Sequence, residues 1–153
     1  MRKITQEEFD KIERNSENGF IVIPAFSDLT EIKHFPNGCS FGEYCSFGMG
    51  CSFGEGCGFG EYCNFGMGCS FGMGCSLNDL LIINYCAIDR IGRHQRKLYC
   101  FNLEGKLYFQ VGCFFGVENE LMDRVNKKYS KDSEYHLAVD FLKKLSNLKN
   151  KTD

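Results

Sequence analysis

The chain has 153 residues, with 18 Lys and Arg against 20 Asp and Glu, a net charge of −2 and a pI near 5.9. This length admits one ordinary domain or two small ones, and the charge gives no reason to expect a general nucleic-acid binder. No run is apolar over the length that a bilayer requires.

Residues 1–18 are polar and lack the apolar stretch of a secretion signal, so a cytoplasmic, reducing setting is expected and the ten cysteines are read as thiols. Thr5 with Glu8 three residues on is a capping-box signature. It predicts a short helix with Phe9 and Ile12 on one face, ending by Asn18 and Gly19. The apolar run 20–23 before Pro24 predicts a strand that covers the first end of a repeat domain. Three segments are expected: a helix and capping strand over 1–22, the repeat domain over 23–79 and an α+β region over 80–153.

From Phe35 to Ser76 the chain consists of seven uninterrupted hexads, starting at Phe35, Phe41, Phe47, Phe53, Phe59, Phe65 and Phe71, with the consensus Phe-Gly-x-x-Cys-Ser. Six residues is neither a helical heptad nor a strand alternation, and glycine in the second place of six hexads excludes a stable helix. A longer period overlies the first. Glu43-Tyr44 returns as Glu61-Tyr62 and Met49 returns as Met67, each 18 residues later.

The hexads resemble the hexapeptide-repeat family of left-handed parallel β-helices, whose signature is an aliphatic residue, Gly, two variable residues, a small residue and one more variable. Here Phe stands at the aliphatic place and Cys at the small one. The resemblance implies a mainly β fold, with a triangular solenoid of about three coils in which residues 18 apart lie over one another. Phe35, Phe53 and Phe71 would then form one inner column, Phe41, Phe59 and Leu77 a second, and Phe47 and Phe65 a third. Ile23 and Leu29 extend these inward positions upstream, although residues 29–34 fit the repeat poorly. Companion columns are Cys39-Cys57-Cys75, Cys45-Cys63 and Cys51-Cys69. Coils ~4.8 Å apart leave disulfides geometrically open. With no CxxC pair and no interleaved histidine a metal is weakly indicated, and buried thiols serving as small hydrophobes are the expectation.

Outward positions carry Glu43, Tyr44, Met49, Glu61, Tyr62 and Met67, a candidate self-association or protein-binding patch that implies a dimer or trimer; corner shielding is the plainer alternative. Regular outward Thr arrays and dense acidic arrays, which ice-binding and DNA-mimicking solenoids need, are missing. Many members of the resembled family transfer acyl groups from coenzyme A with a histidine base on a loop excursion. No histidine lies between Phe35 and Arg93 and no loop interrupts the coils, which leaves His34 and His94 as the nearby candidates.

The second half changes pattern. Residues 80–88, 97–101 and 107–111 read as strands, the last two joined by a hairpin turn at 102–106. Residues 118–129 form a helix with Leu121, Met122 and Val125 on one face. A second begins near Ser133, with Leu137, Phe141, Leu142 and Leu145 inward. Ile88-Asp-Arg-Ile-Gly-Arg93, Gly112-Cys-Phe-Phe-Gly116, Glu120-Leu121 and Tyr135 with its helix resemble a region of uncharacterised phage and prophage proteins that also follows hexapeptide-like repeats.

Arg90, Arg93, His94, Arg96 and Lys97 form the densest polar cluster, in a loop with Gly92, and guanidinium forks match phosphate oxygens. A solvated loop offsetting the acidic first half is the plainer reading. Tyr99, Tyr108 and Phe109 on neighbouring strands are candidates to stack a base. No nucleophile elbow, phosphate loop, paired-acid or metal motif appears, and no cofactor is expected. The resulting expectation is a non-enzymatic oligomeric binding protein, of phage counter-defence type. It would sequester a phosphate-bearing host signal such as a nucleotide, or block a host protein. Acyl transfer and a purely structural role are the alternatives.

Overall fold

Most hexads place the phenylalanine and the residue before it in a strand of two or three residues, Asn64 making only an isolated bridge, and the two variable residues at a corner, so three hexads bring the chain back over itself. The computed structural model describes residues 1–66, 68–112, 114–129 and 133–151. The chain divides into two compact units, Met1–Leu81 and Ile82–Asp153. The first contains β1 (Arg2–Lys3), α1 (Gln6–Asp10), β2 (Ile21–Ile23), β3 (Ser27–Leu29), β4 (His34–Phe35), β5 (Cys39–Phe41), β6 (Ser46–Phe47), β7 (Ser52–Phe53), β8 (Gly58–Phe59), β9 (Ser70–Phe71) and β10 (Ser76–Leu77). These strands make three parallel sheets, β2-β5-β8-β10, β1-β3-β6 and β4-β7-β9. From β2 onward every parallel partner lies 18 residues away, as in Ile21↔Cys39, Asp28↔Ser46 and Ser52↔Ser70.

The solenoid thus begins at Ile21, and the run expected to cover its end is itself a strand of the first coil. Ile21 and Ile23 are buried and Val22 between them is exposed, the alternation of a strand with one face inward. The cover comes from α1, whose Phe9 ring meets Phe35 edge-on at 5.4 Å. Its capping box is formed: Thr5 Oγ1 accepts from the Glu8 amide at 3.2 Å and Glu8 Oε2 accepts from the Thr5 amide at 2.9 Å. The helix stops at Asp10 rather than near Gly19. Asn15 and Asn18 side chains accept from the amides of Glu17 and Phe20, turning the backbone out of the helix.

Inside the prism the rings stack along the columns and meet edge-on across them. Phe35-Phe53-Phe71 are separated by 5.0 and 5.3 Å, Phe41-Phe59 by 5.1 Å and Phe47-Phe65 by 5.2 Å. Phe53 meets Phe59 at 4.7 Å and 86°. The nine described cysteines are free and buried. Five of them direct their thiols to the carbonyl 21 residues earlier, on the preceding coil: Cys45 to Pro24, Cys57 to Pro36, Cys63 to Gly42, Cys69 to Gly48 and Cys75 to Gly54, at 3.3–3.4 Å. The hydrogen bond to Cys57, and then burial, push the Cys39 thiol far above its ordinary value. The hexad glycine is required by close approach: a Cβ at Gly60 would lie 2.6 Å from the Glu43 nitrogen.

The second unit takes up the chain within β11 (Leu80–Ile91) and adds β12 (Arg96–Leu103), β13 (Lys106–Val111), β14 (Phe114–Gly116), α2 (Glu118–Lys128) and α3 (Glu134–Lys151). The strands form an antiparallel meander in chain order. Leu103 pairs with Lys106 around Glu104 and Gly105, both at positive φ, the two-residue turn whose twist suits a hairpin. The short strand β14 adds to the three expected. Leu98, Cys100, Phe109 and Val111 form the sheet side of a core closed by Leu121, Val125, Val139 and Leu142 of the helices. The inward face of α3 is Tyr135, Ala138, Val139 and Leu142. Leu137 and Phe141, expected inward, are exposed, because α3 carries a second apolar stripe that the same spacing also describes.

Phe53 touches six other phenylalanine rings. Phe53→Ala is expected to cost about 3–5 kcal/mol, measured by urea denaturation, with loss of the cooperative transition as the extreme outcome.

Candidate functional site

Strand alternation decides where the basic cluster points. On β12, Leu98 and Cys100 face the helices, so Arg96 lies on that face and Lys97 and Tyr99 on the other. Lys97 is paired to Asp89 at 3.4 Å, with its ammonium 5.2 Å from the Tyr99 ring centre. Tyr99 is fully buried and stacks on Phe101 at 5.3 Å. Its ring is therefore a core element rather than a surface platform. Phe109 is buried on the opposite face, since Cys100 pairs with it while Tyr99 pairs with Gln110. Tyr108 stacks on Phe115 at 5.5 Å. The three aromatics do not form one stacking surface.

Arg93 and His94 are exposed in the turn between β11 and β12, and Arg90 is exposed at φ +60° where the β11-β12 register slips between Ile88 and Ile91. Of the cluster, Arg96 lines a cavity. That cavity, of about 110 Å³, is bounded by Arg96, Phe114, Arg124, Lys128, Tyr129 and Tyr135, with Val111, Leu121 and Val125 as its floor. Arg124 and Lys128 come from α2, one turn apart, and Tyr135 from the first turn of α3. The Arg124 guanidinium lies over the Phe114 ring at 5.1 Å, which orients its fork. Lys128 ends α2, where its charge also offsets the negative helix terminus.

Two glycines allow the assembly. Gly112, at φ +55°, admits the Arg96 guanidinium, which a Cβ would meet at 2.7 Å. Gly92, at φ +73°, lies under Tyr135, and its amide donates to Glu134 Oε2 at 3.0 Å, fastening the hairpin tip to the start of α3. His136 links the helices, bonded to Ser133 Oγ and Asn126 Oδ1 at 2.8 Å each. Reasoning from sequence misses Arg124, Lys128, Tyr129 and Tyr135 as binding residues. Their signal is the i, i+4 basic pair at 124 and 128 on the face beside Leu121 and Val125.

On the solenoid, Tyr44 and Tyr62 are exposed and stacked at 4.9 Å, and Phe26, 18 residues before Tyr44, extends the ladder at 5.0 Å. All three have φ of 57–59°. Glu43 and Glu61 are exposed beside them, and Met49 is exposed on a different corner; Met67 lies outside the described residues. His34 is exposed and bonded through Nδ1 to Ser52 Oγ at 2.8 Å. Among the described residues no group of three His, Cys, Asp or Glu side chains is placed to hold a metal ion, and no helix is long and apolar enough to cross a membrane.

Burial first, and then the neighbouring Tyr129, raise the Tyr135 phenol above its ordinary value of 10.0, against an opposing pull from Arg96. The folded protein therefore keeps this proton where the unfolded chain releases it. The corresponding stability is full below pH ~10 and is lost as pH rises through the folded value. Tyr135→Phe is expected to flatten that alkaline loss in a pH series of urea denaturations.

Compared with protein-family models, with curated proteins and with solved structures, the chain matches none.

Proposed function

We propose that the protein is a non-enzymatic binding protein whose second unit holds a small phosphate-bearing ligand by its anionic group. The observation that carries this reading is the convergence of Arg96, Arg124 and Lys128, from a strand and a helix, on one cavity with an aromatic wall. Guanidinium and ammonium donors around a partly apolar floor suit an anion, since charge-assisted hydrogen bonds strengthen as water is excluded. At about 110 Å³ the cavity is well below the ~300 Å³ of a site that encloses a drug-sized molecule. It is sized for a phosphate group, with the rest of the ligand outside. In the phage-type setting that the C-terminal motifs suggest, such a ligand is a host nucleotide signal, held without turnover. Acyl transfer has less support, because His34 lies bonded to a serine on an exposed strand and lines none of the cavities formed around Arg96, Ile88 or Phe59.

Thermal unfolding with inorganic phosphate and with nucleoside mono- and diphosphates tests the reading. A ligand at a hundredfold its Kd adds about 2.7 kcal/mol, which raises Tm by several degrees at ~2–4 °C per kcal/mol. Arg124→Ala and Arg96→Ala are each expected to weaken binding by about 1.5–3 kcal/mol, roughly tenfold to a hundredfold. Arg93→Ala, outside the cavity, is expected to leave it unchanged. Mass spectrometry after denaturation should recover the ligand intact. A wild-type Tm unmoved by every one of these anions would sink the reading.

A further inference from the structure

α3 buries one face and leaves a second apolar stripe in solvent. Leu137, Phe141 and Leu148 are 72%, 56% and 59% exposed. With Glu134 and Lys144 they occupy positions 134, 137, 141, 144 and 148, the alternating three- and four-residue steps of a coiled-coil seam. Scattered exposed leucines need no account, but three large apolar residues in register along one helix line do. The stripe continues into a wide, mainly apolar groove of about 380 Å³, lined by Leu137, Ala138 and Phe141 of α3 with Ile88 and Ile91 of β11, and by Glu134.

We infer that this seam pairs with the same seam of a second copy, antiparallel, forming a two-fold dimer through α3. Direction follows from charge. A parallel pairing sets Lys144 against Lys144, which is unfavourable. An antiparallel pairing about the helix midpoint sets Leu137 opposite Leu148 and Phe141 opposite Lys144. Each Phe141 ring then lies beside the aliphatic stem and ammonium of Lys144 from the second copy, and that ammonium comes within reach of Asp140. Within one chain Lys144 already bonds Asp140 at 3.0 Å, so the exchange keeps the charge satisfied on both copies. Leu148 of each copy faces the groove beside Leu137 of the other. The surface is self-complementary, as a two-fold interface must be. This inference is independent of the anion reading and moves the oligomer interface off the solenoid, where the outward Tyr and Met suggested it.

The test uses the full chain in analytical ultracentrifugation and native mass spectrometry from about 1 to 200 μM, a range suited to an interface smaller than the standard ~1,600 Å². A concentration-dependent dimer is expected, reduced to monomer by Phe141→Glu and unaffected by Tyr44→Ser with Tyr62→Ser. Asp140→Lys and Lys144→Glu are each expected to weaken the dimer, and mixing the two variants to restore it as a heterodimer. This second measurement stands even if Phe141→Glu perturbs the fold. Cysteine placed at both 137 and 148 is expected to cross-link two copies, and cysteine at 137 alone is not. A monomer across the whole range, a dimer indifferent to Phe141→Glu and to both charge reversals, or cross-linking by the cysteine at 137 alone would each overturn the proposal. So would a monomer that recruits lipid vesicles through this stripe.

Discussion

Two phenylalanine rings can stack along a column only if their backbones lie one strand spacing apart. In the solenoid the column separations of 5.0–5.3 Å approach the ~4.7–4.9 Å between neighbouring strands. Ring stacking and the backbone ladder therefore satisfy each other, and the remaining hexad positions are constrained by both. A prism filled by three ring columns leaves room at the fifth position for a small residue only. Cysteine fills it and adds a weak donor that reaches the carbonyl of the coil before. From the second hexad on, the second position runs so close to that coil that glycine alone fits.

The corners show where this economy is set aside. At two of them glycine takes the positive φ, as at Gly38, Gly56 and Gly74 or at Gly50 and Gly68. At the third, Phe26, Tyr44 and Tyr62 adopt the same conformation with large side chains, at a cost of about 1–2 kcal/mol each. Two stacking contacts return about 0.5–1.5 kcal/mol apiece, so over three residues the ladder costs about 2–3 kcal/mol more than it returns. Its retention over three coils needs another reason, and shape at the surface is the one the geometry offers. In the second unit the governing constraint is alternation. It sends Arg96 and Lys97 to opposite faces of one sheet and gives the helices, rather than the loop, most of the cavity.

The solenoid was legible because its rule is written in consecutive residues: the hexad and the 18-residue recurrence of Glu-Tyr and Met name the coil, its columns and its outward corners. The first coil was harder to read, since residues 29–34 break the hexad and Ile21 differs from the phenylalanines below it. Extending the 18-residue step from Tyr44 would have found Phe26. The strands and helices of the second unit were readable from their periods, including the turn at Glu104-Gly105. The faces of α3 were not, because Leu137, Phe141, Leu142 and Leu145 satisfy helical spacing for either of two stripes until the sheet chooses one. The cavity was half legible. Arg96 stood in the visible cluster, whereas Arg124, Lys128 and Tyr135 join it only when two helices fold back over the strands.

The thiol contacts between layers and the hexad glycines share a direction. Cys57 reaches back to Pro36 and Cys75 to Gly54, and Gly60 is fitted against Gly42 and Glu43. Each layer is thus completed by material made before it. During synthesis the first coil, closed by Phe9 of α1, leaves the ribosome before the others, and every later coil emerges onto a template already in place. A nascent chain can lay down its layers one at a time, with only the newest ring of phenylalanines waiting for cover.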